Sequence, residues 1–170
     1  MPMPTPPGPG EEPESEAELY RYHLRRLINW FLEALDPLPE AAFSWHPPLP
    51  EANSLYAIGL HAITSAEWWV LSCVGEESLE RDRDAEFAAG PGSWRELRPR
   101  YTRFLAAAEA LLAPMSSVDL SRLSRHPAGN RTNRRCLTHT IEHLGLHLGH
   151  IEITIDWWRA THGEAVATEP

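Results

Sequence analysis

Four long segments carry apolar residues at helical spacing, and this pattern most constrains what the chain can fold into. No stretch shows the alternation of apolar and polar residues that is typical of half-buried strands. The sequence therefore predicts an all-α protein, a four-helix bundle with long connections. Counted with their capping residues, the predicted helices cover 16–35, 53–74, 93–113 and 132–162.

The connections between these helices are unusually long. Each has roughly 16 to 20 residues, whereas antiparallel neighbours in bundles are usually joined by about 2 to 8. At least one connection is therefore expected to cross the bundle. The connection 36–52 is too rich in proline for a regular element, but Phe43 and Trp45 predict that it packs over one end of the domain.

Length and composition indicate a single domain. The chain has 170 residues, of which 42% are hydrophobic, enough for one sizeable core. Residues 1–15 combine proline, glycine and acidic residues and are predicted to be a disordered tail. The bundle is predicted to span 16–162, followed by a short C-terminal tail at 163–170.

Charge and cysteine content exclude several classes of protein. With 15 Lys+Arg against 24 Asp+Glu the formal net charge is −9, which argues against nucleic acid or an anionic membrane as a partner. The sequence has no secretory hydrophobic region near its start and no run of 18 apolar residues, so we expect a cytoplasmic protein without a membrane span. Two cysteines, Cys73 and Cys136, do not suggest a disulfide scaffold.

The last predicted helix carries a row of four histidines. His139, His143, His147 and His150 follow one another at spacings of 4, 4 and 3, which places them on one side of the helix. At about 100° per residue, His147 and His143 point deepest into the predicted buried arc, which Leu146 and Ile153 are expected to border. Buried imidazoles need partners, and two histidines four residues apart can bind one metal ion.

A metal site of this kind needs at least three protein ligands, so a facing helix must supply another. His61 is the candidate, because it lies in the same predicted core stripe as Ile58, Ser65 and Trp68. A core histidine without a metal is the alternative for this residue. Three imidazoles suit Zn²⁺ or Ni²⁺, with water in the open position. His139 and His150 are expected to support the ligands or to line a substrate pocket.

Other side chains near the last helix have two interpretations each. Arg131, Arg134 and Arg135 lie where the helix begins and could dock a carboxylate or phosphate of a substrate, or form a solvated basic turn. Cys136 lies one turn before His139 and could be a thiol near the site or a buried cysteine.

Two further segments bear on partners. The acidic stretch 76–86 could be a partner contact, but a solvated loop is the favoured interpretation. The adjacent Trp157 and Trp158 could line a dimer contact, because two neighbouring large rings cannot both face one core direction.

Three sequence stretches, SWHPPLP, NSLYAIGLHAITSAEWW and HTIEHLGLHLGHIEI, resemble the DinB/YfiT-like superfamily over roughly residues 16 to 160. The resemblance implies a four-helix bundle of unusual connectivity, often dimeric, whose divalent metal is held by His61, His143 and His147. Members of the superfamily have a glutamate and aromatic residues soon after the first of these histidines, and Glu67 matches that glutamate. His150 stands where glutamine is common.

The resemblance also indicates a type of activity. Characterised members include thiol S-transferases that use low-molecular-weight thiols, mycothiol-dependent isomerases and metal-dependent hydrolases. We therefore expect a metal-dependent hydrolase or thiol S-transferase, active on a small-molecule substrate and assembled as a homodimer. The alternative is a noncatalytic bundle that binds or senses a metal or ligand.

Overall fold

The computed structural model describes residues 13–163. Most of the predicted N-terminal tail and residues 164–170 of the predicted C-terminal tail lie outside this range. Within it the chain forms seven α-helices and one π-helical segment, and no β-strand. The all-α four-helix bundle is confirmed. The elements are α1 (Glu16–Leu35), α2 (Glu40–Ser44), α3 (Leu55–Ala66), the π-helical segment (Glu67–Val74), α4 (Arg83–Ala88), α5 (Trp94–Leu112), α6 (Ser117–Ser121) and α7 (Asn133–His162).

The long helices begin where the sequence offers a side chain that can cap them. Ser15, Ser54, Ser93 and Thr132 each accept a hydrogen bond from a backbone N–H in the first turn of α1, α3, α5 and α7. Such bonds satisfy amide groups that have no partner within the helix. At the other end of α7, Gly163 adopts a left-handed conformation with φ 70°, which glycine accepts without strain.

The packing of the four long helices explains the long connections. Helix α1 packs against α5 and α7, and α3 also packs against α5 and α7. Helices α1 and α3 therefore occupy opposite corners of the bundle, and so do α5 and α7. Because the chain joins α1 to α3 and α5 to α7, two of its three connections must cross an end of the bundle diagonally.

Short helices in the connections differ from what the sequence predicted. Helix α2 forms within the proline-rich connection, and Pro39 is its N-cap, where the helix requires no N–H. Phe43 stacks on Trp94 with ring centroids 5.9 Å apart, and Trp45 contacts His162 at 5.7 Å. The connection thus packs over one end of the domain, as expected. Helices α4 and α6 form in the other two connections.

The second long helix does not remain α-helical to its end. Residues Glu67–Val74 form a π-helix, and the N–H of Gly75 bonds to the carbonyl of Val70, five residues earlier. A π-helix has more residues per turn than an α-helix, so the buried face shifts. The predicted core stripe therefore fails beyond Ser65: Trp68 is only half-buried, whereas Val70 is fully buried.

The outer face of α7 is less buried than predicted. Leu146 and Ile153 were expected to border the buried arc, but their side chains are 58% and 66% exposed. The neighbouring helices cover a narrower arc of α7 than its apolar residues span. Trp158 is buried within its own chain and Trp157 is half-buried. Homodimer formation remains a prediction.

One helical stretch, Leu55–Val74, has the length and apolar composition of a membrane span. Of its most apolar window, 67% is buried inside the bundle. Burial of this kind is expected of a core helix, and the stretch accordingly packs between α5 and α7. A cytoplasmic location remains a prediction.

Asp36, at the end of α1, ties this helix to α5. Its carboxylate accepts hydrogen bonds from Trp94 Nε1 at 2.7 Å and from Arg98 Nε and Nη2 at 2.9 and 3.1 Å. The Arg98 guanidinium lowers the pKa of the Asp36 carboxyl, and the indole N–H adds to this effect. The ionised carboxylate therefore stabilises the fold above the pKa of the unfolded chain, and this contribution is lost as the pH falls through the lowered value.

We predict that Asp36→Asn lowers the free energy of unfolding at pH 7 by about 0.5 to 1 kcal/mol, a small value because the ion pair is partly exposed. Denaturant unfolding of both proteins from pH 7 to pH 2.5 checks this. The difference should shrink below about pH 4, as the native carboxylate becomes protonated. A difference that stays constant over this range would show that charge is not its cause.

Candidate metal centre

Three histidine side chains meet between α3 and α7. Helix α7 presents His143 and His147 one turn apart, and α3 packs against it with His61 facing them. The Nε2 atom of His143 lies 3.1 Å from that of His61 and 3.2 Å from that of His147. One nitrogen from each ring lies within 4.8 Å of the other two. In the part of the chain that the structure describes, these three histidines form a group of donor atoms that could hold a metal ion.

The three rings are held mostly out of water. His61 is 3% exposed, His147 is 9% exposed and His143 is half-buried. Burial, reinforced by the charge of neighbouring imidazoles, lowers the pKa of His143 to about 3 and that of His147 to about 4. Burial also lowers the pKa of His61, against the opposing effect of Glu86. All three rings are therefore neutral near pH 7, the state in which imidazole binds metals.

Glu86 on α4 contacts the other side of the His61 ring. Its carboxylate accepts a hydrogen bond from His61 Nδ1 at 2.6 Å. Arg81 holds the same carboxylate in a bidentate ion pair, with Nε at 2.8 Å and Nη2 at 3.1 Å. The prediction of a solvated acidic loop was wrong for this residue, because Glu86 is only 4% exposed. No spacing rule indicated Glu86, since α4 is too short to show a periodic pattern.

The donor set fits a divalent ion. When Nδ1 of His61 donates its proton in the hydrogen bond to Glu86, Nε2 of His61 keeps its lone pair, and this atom lies 3.1 Å from Nε2 of His143. Nitrogens around a tetrahedral zinc ion, at about 2.0 to 2.1 Å from the metal, lie roughly 3.3 Å apart. Two of the three spacings here are close to that value, and the third is no more than 4.8 Å.

The other two histidines of the row lie beside this cluster. His150 is exposed, and its Nδ1 atom is 3.4 Å from Nδ1 of His147, on the side of that ring away from the shared nitrogens. The ring of His139 lies 5.6 Å from that of His143 and 4.4 Å from Trp69. His139 therefore extends the centre towards the start of α7.

Two further residues predicted near the site, Glu67 and Cys136, form hydrogen bonds with neighbouring side chains. Glu67 pairs with Arg100 on α5, which also bonds to Thr64. Cys136 is buried, donates to Ser124 Oγ, and has a raised pKa because of its burial.

The two arginines predicted near the site, Arg134 and Arg131, also have different partners. Arg134 is engaged in a bidentate pair with Glu16, at 2.5 and 2.8 Å. The Arg131 guanidinium lies 5.8 Å from the Trp69 ring, on the same side of the molecule as His139.

Fold and site together define a four-helix bundle with a three-histidine cluster between two facing helices. The sequence model of the DinB superfamily matches residues 23–151, which is most of the chain, and the protein belongs to that superfamily. The resemblance found in the sequence is thereby confirmed.

A solved structure of a conserved protein from Enterococcus faecalis has the same fold, with a TM-score of 0.66 at 14% identity. The alignment covers 82% of this chain and 95% of the Enterococcus chain. No match was found among curated proteins.

We predict that protein purified without a metal-affinity tag contains about one divalent ion per chain, and that His143→Ala loses it because a three-ligand site cannot spare a ligand. Elemental analysis measures the metal content. His46→Ala is the matched control, since His46 is exposed in the connection after α2 and should leave the content unchanged. Equal metal content in His143→Ala and the wild type would contradict the assignment.

Proposed function

We propose that this protein is a metal-dependent enzyme in which His61, His143 and His147 hold one zinc or nickel ion beside a site for a small molecule. When bound, such an ion lowers the pKa of a water or thiol that binds it and so supplies a nucleophile near neutral pH. The observation that carries the proposal is the convergence of three neutral, largely buried imidazoles on one point.

The reaction we propose is hydrolysis or the transfer of a low-molecular-weight thiol to an electrophilic carbon. Both fit a set of ligands that is neutral in itself and leaves the charge of the ion uncompensated. Access is expected from the side of α7 where His143 is half-buried and His150 exposed. Membership of the DinB superfamily supports metal binding but not a particular substrate.

Arg131 is the better candidate to meet a negatively charged substrate group. Arg134 is neutralised by Glu16, whereas the Arg131 guanidinium faces Trp69 with its Nε atom buried and without a hydrogen-bond partner among the described residues. Its backbone is fixed, because Ser124 donates two hydrogen bonds to the Arg131 carbonyl. A row of neighbouring side chains, Trp69 and then His139, connects Arg131 with His143.

The noncatalytic alternative predicts metal binding without turnover, so activity and stability must be measured on the same samples. We expect the metal-free protein to be inactive against panels of thiol-transfer and hydrolytic substrates, and zinc or nickel to restore turnover. Metal at 100 times its Kd should also stabilise the fold by about 2.7 kcal/mol. A metal-dependent rise in Tm without activity in either panel would favour the binding or sensor function.

For any substrate found in that screen that carries a carboxylate or phosphate, we predict that Arg131→Gln raises KM about tenfold or more with a smaller effect on kcat. A charge-assisted hydrogen bond contributes roughly 1.5 to 3 kcal/mol, which corresponds to this loss. Steady-state kinetics provides the measurement. Arg125→Gln is the control, because Arg125 lies in the same connection but is exposed and paired with Glu76. An equal rise in both variants would contradict a specific role for Arg131.

A further inference from the structure

Glu86 is an unusual member of the acidic connection between the π-helical segment and α5. The other acidic side chains from Glu76 to Asp84 are exposed, whereas Glu86 is buried. Burial of a carboxylate is costly unless charged or hydrogen-bonding partners compensate for it. The partners here are Arg81 from the same connection and a ring nitrogen of His61 from α3.

We infer that Glu86 is a positioning residue, which fixes the tautomer and orientation of His61 so that its Nε2 atom is ready to bind the metal. The inference rests on the proposed metal centre. An ionised carboxylate only accepts hydrogen bonds, so Nδ1 of His61 must carry the proton. Nε2 then keeps its lone pair, and it lies 3.1 Å from Nε2 of His143. A hydrogen bond at one ring nitrogen thereby sets what the other can do.

Three further contacts hold this arrangement in place. The Arg81 fork fixes the plane of the Glu86 carboxylate. Phe87, the next residue of α4, covers the His61 ring with centroids 4.3 Å apart at 32°, which limits rotation of the imidazole. Asp82 caps α4 by accepting from the Ala85 N–H. The short helix thus holds both the acceptor and the ring cover for one ligand.

The other two ligands lack support of this strength within the described residues. In the described part of the chain, Nδ1 of His147 is paired only with the exposed His150, at 3.4 Å. Among residues 13–163, the hydrogen bonds of His143 involve Nε2 and none involves Nδ1. His61 is therefore the ligand whose geometry is most completely set before metal binding, and Glu86 sets it.

The first test is ¹⁵N NMR of the His61 ring in metal-free protein, with the signals assigned by comparison with His61→Asn. We expect the wild type to show a protonated Nδ1 and an unprotonated Nε2. Glu86→Ala should lose this preference. Glu86→Gln, whose amide oxygen can still accept from Nδ1, should retain it in part. This readout requires neither metal nor activity.

The second test is the Kd for zinc, measured by competition with a chromogenic chelator. Loss of an outer partner of a ligating histidine typically weakens metal binding by about 10 to 100-fold. We expect a loss in this range for Glu86→Ala, with Glu86→Gln between it and the wild type. Asp84→Asn is the matched control, since Asp84 lies on the same short helix but is exposed, and it should bind zinc as the wild type does.

The outcomes separate this inference from the proposed function. If the wild type binds no zinc, the proposed metal centre fails, while the NMR tautomer still decides whether Glu86 fixes the His61 ring. Should Glu86→Ala not fold, as judged by thermal unfolding, Glu86→Leu carries the test, because leucine also lacks an acceptor but fills more of the space. A folded Glu86→Ala or Glu86→Leu protein with the wild-type tautomer and a zinc Kd within twofold of the wild type would overturn the inference.

Discussion

The packing of α3 against α7 is the contact on which the candidate site depends. It places His61 opposite His143 and His147 and excludes most of the water from their rings. A buried imidazole without a partner destabilises a fold, so three of them at one point require either hydrogen bonds or a shared ion. Glu86 provides one such bond. The Nε2 atoms of the three rings lie close to one another, an arrangement that one shared divalent ion would satisfy.

The long connections between the helices also contribute to the site. Because α1 and α3 lie at opposite corners, as do α5 and α7, the chain must cross the ends of the bundle in long segments. The connection between the π-helical segment and α5 also lies close to the bundle: a Cβ atom at Gly92 would lie 2.1 Å from the Tyr56 ring, so only glycine fits there. In the same connection, α4 packs against α3, and Glu86 thereby contacts His61.

Much of the bundle could be predicted from the sequence because the signals are local. The starts of the four long helices follow from Ser15, Ser54, Ser93 and Thr132, whose side chains accept hydrogen bonds from N–H groups of the first turn. Local signals failed where packing sets the geometry. The π-helical segment shifts the buried face after Ser65. On α7, the neighbouring helices bury a narrower face than the one its apolar residues span.

The same distinction between local signals and packing applies to the candidate site. The sequence by itself determined the histidine row on α7 and the inward direction of His143 and His147, because residues three or four apart share a helix face whatever surrounds them. It also marked His61 as a core position of the facing helix. Only the tertiary structure decided that Glu86, 25 residues from His61, is its partner, and that Arg134 is neutralised by Glu16, 118 residues away. Contacts between distant residues depend on how helices and connections pack, and no periodicity along the chain encodes that.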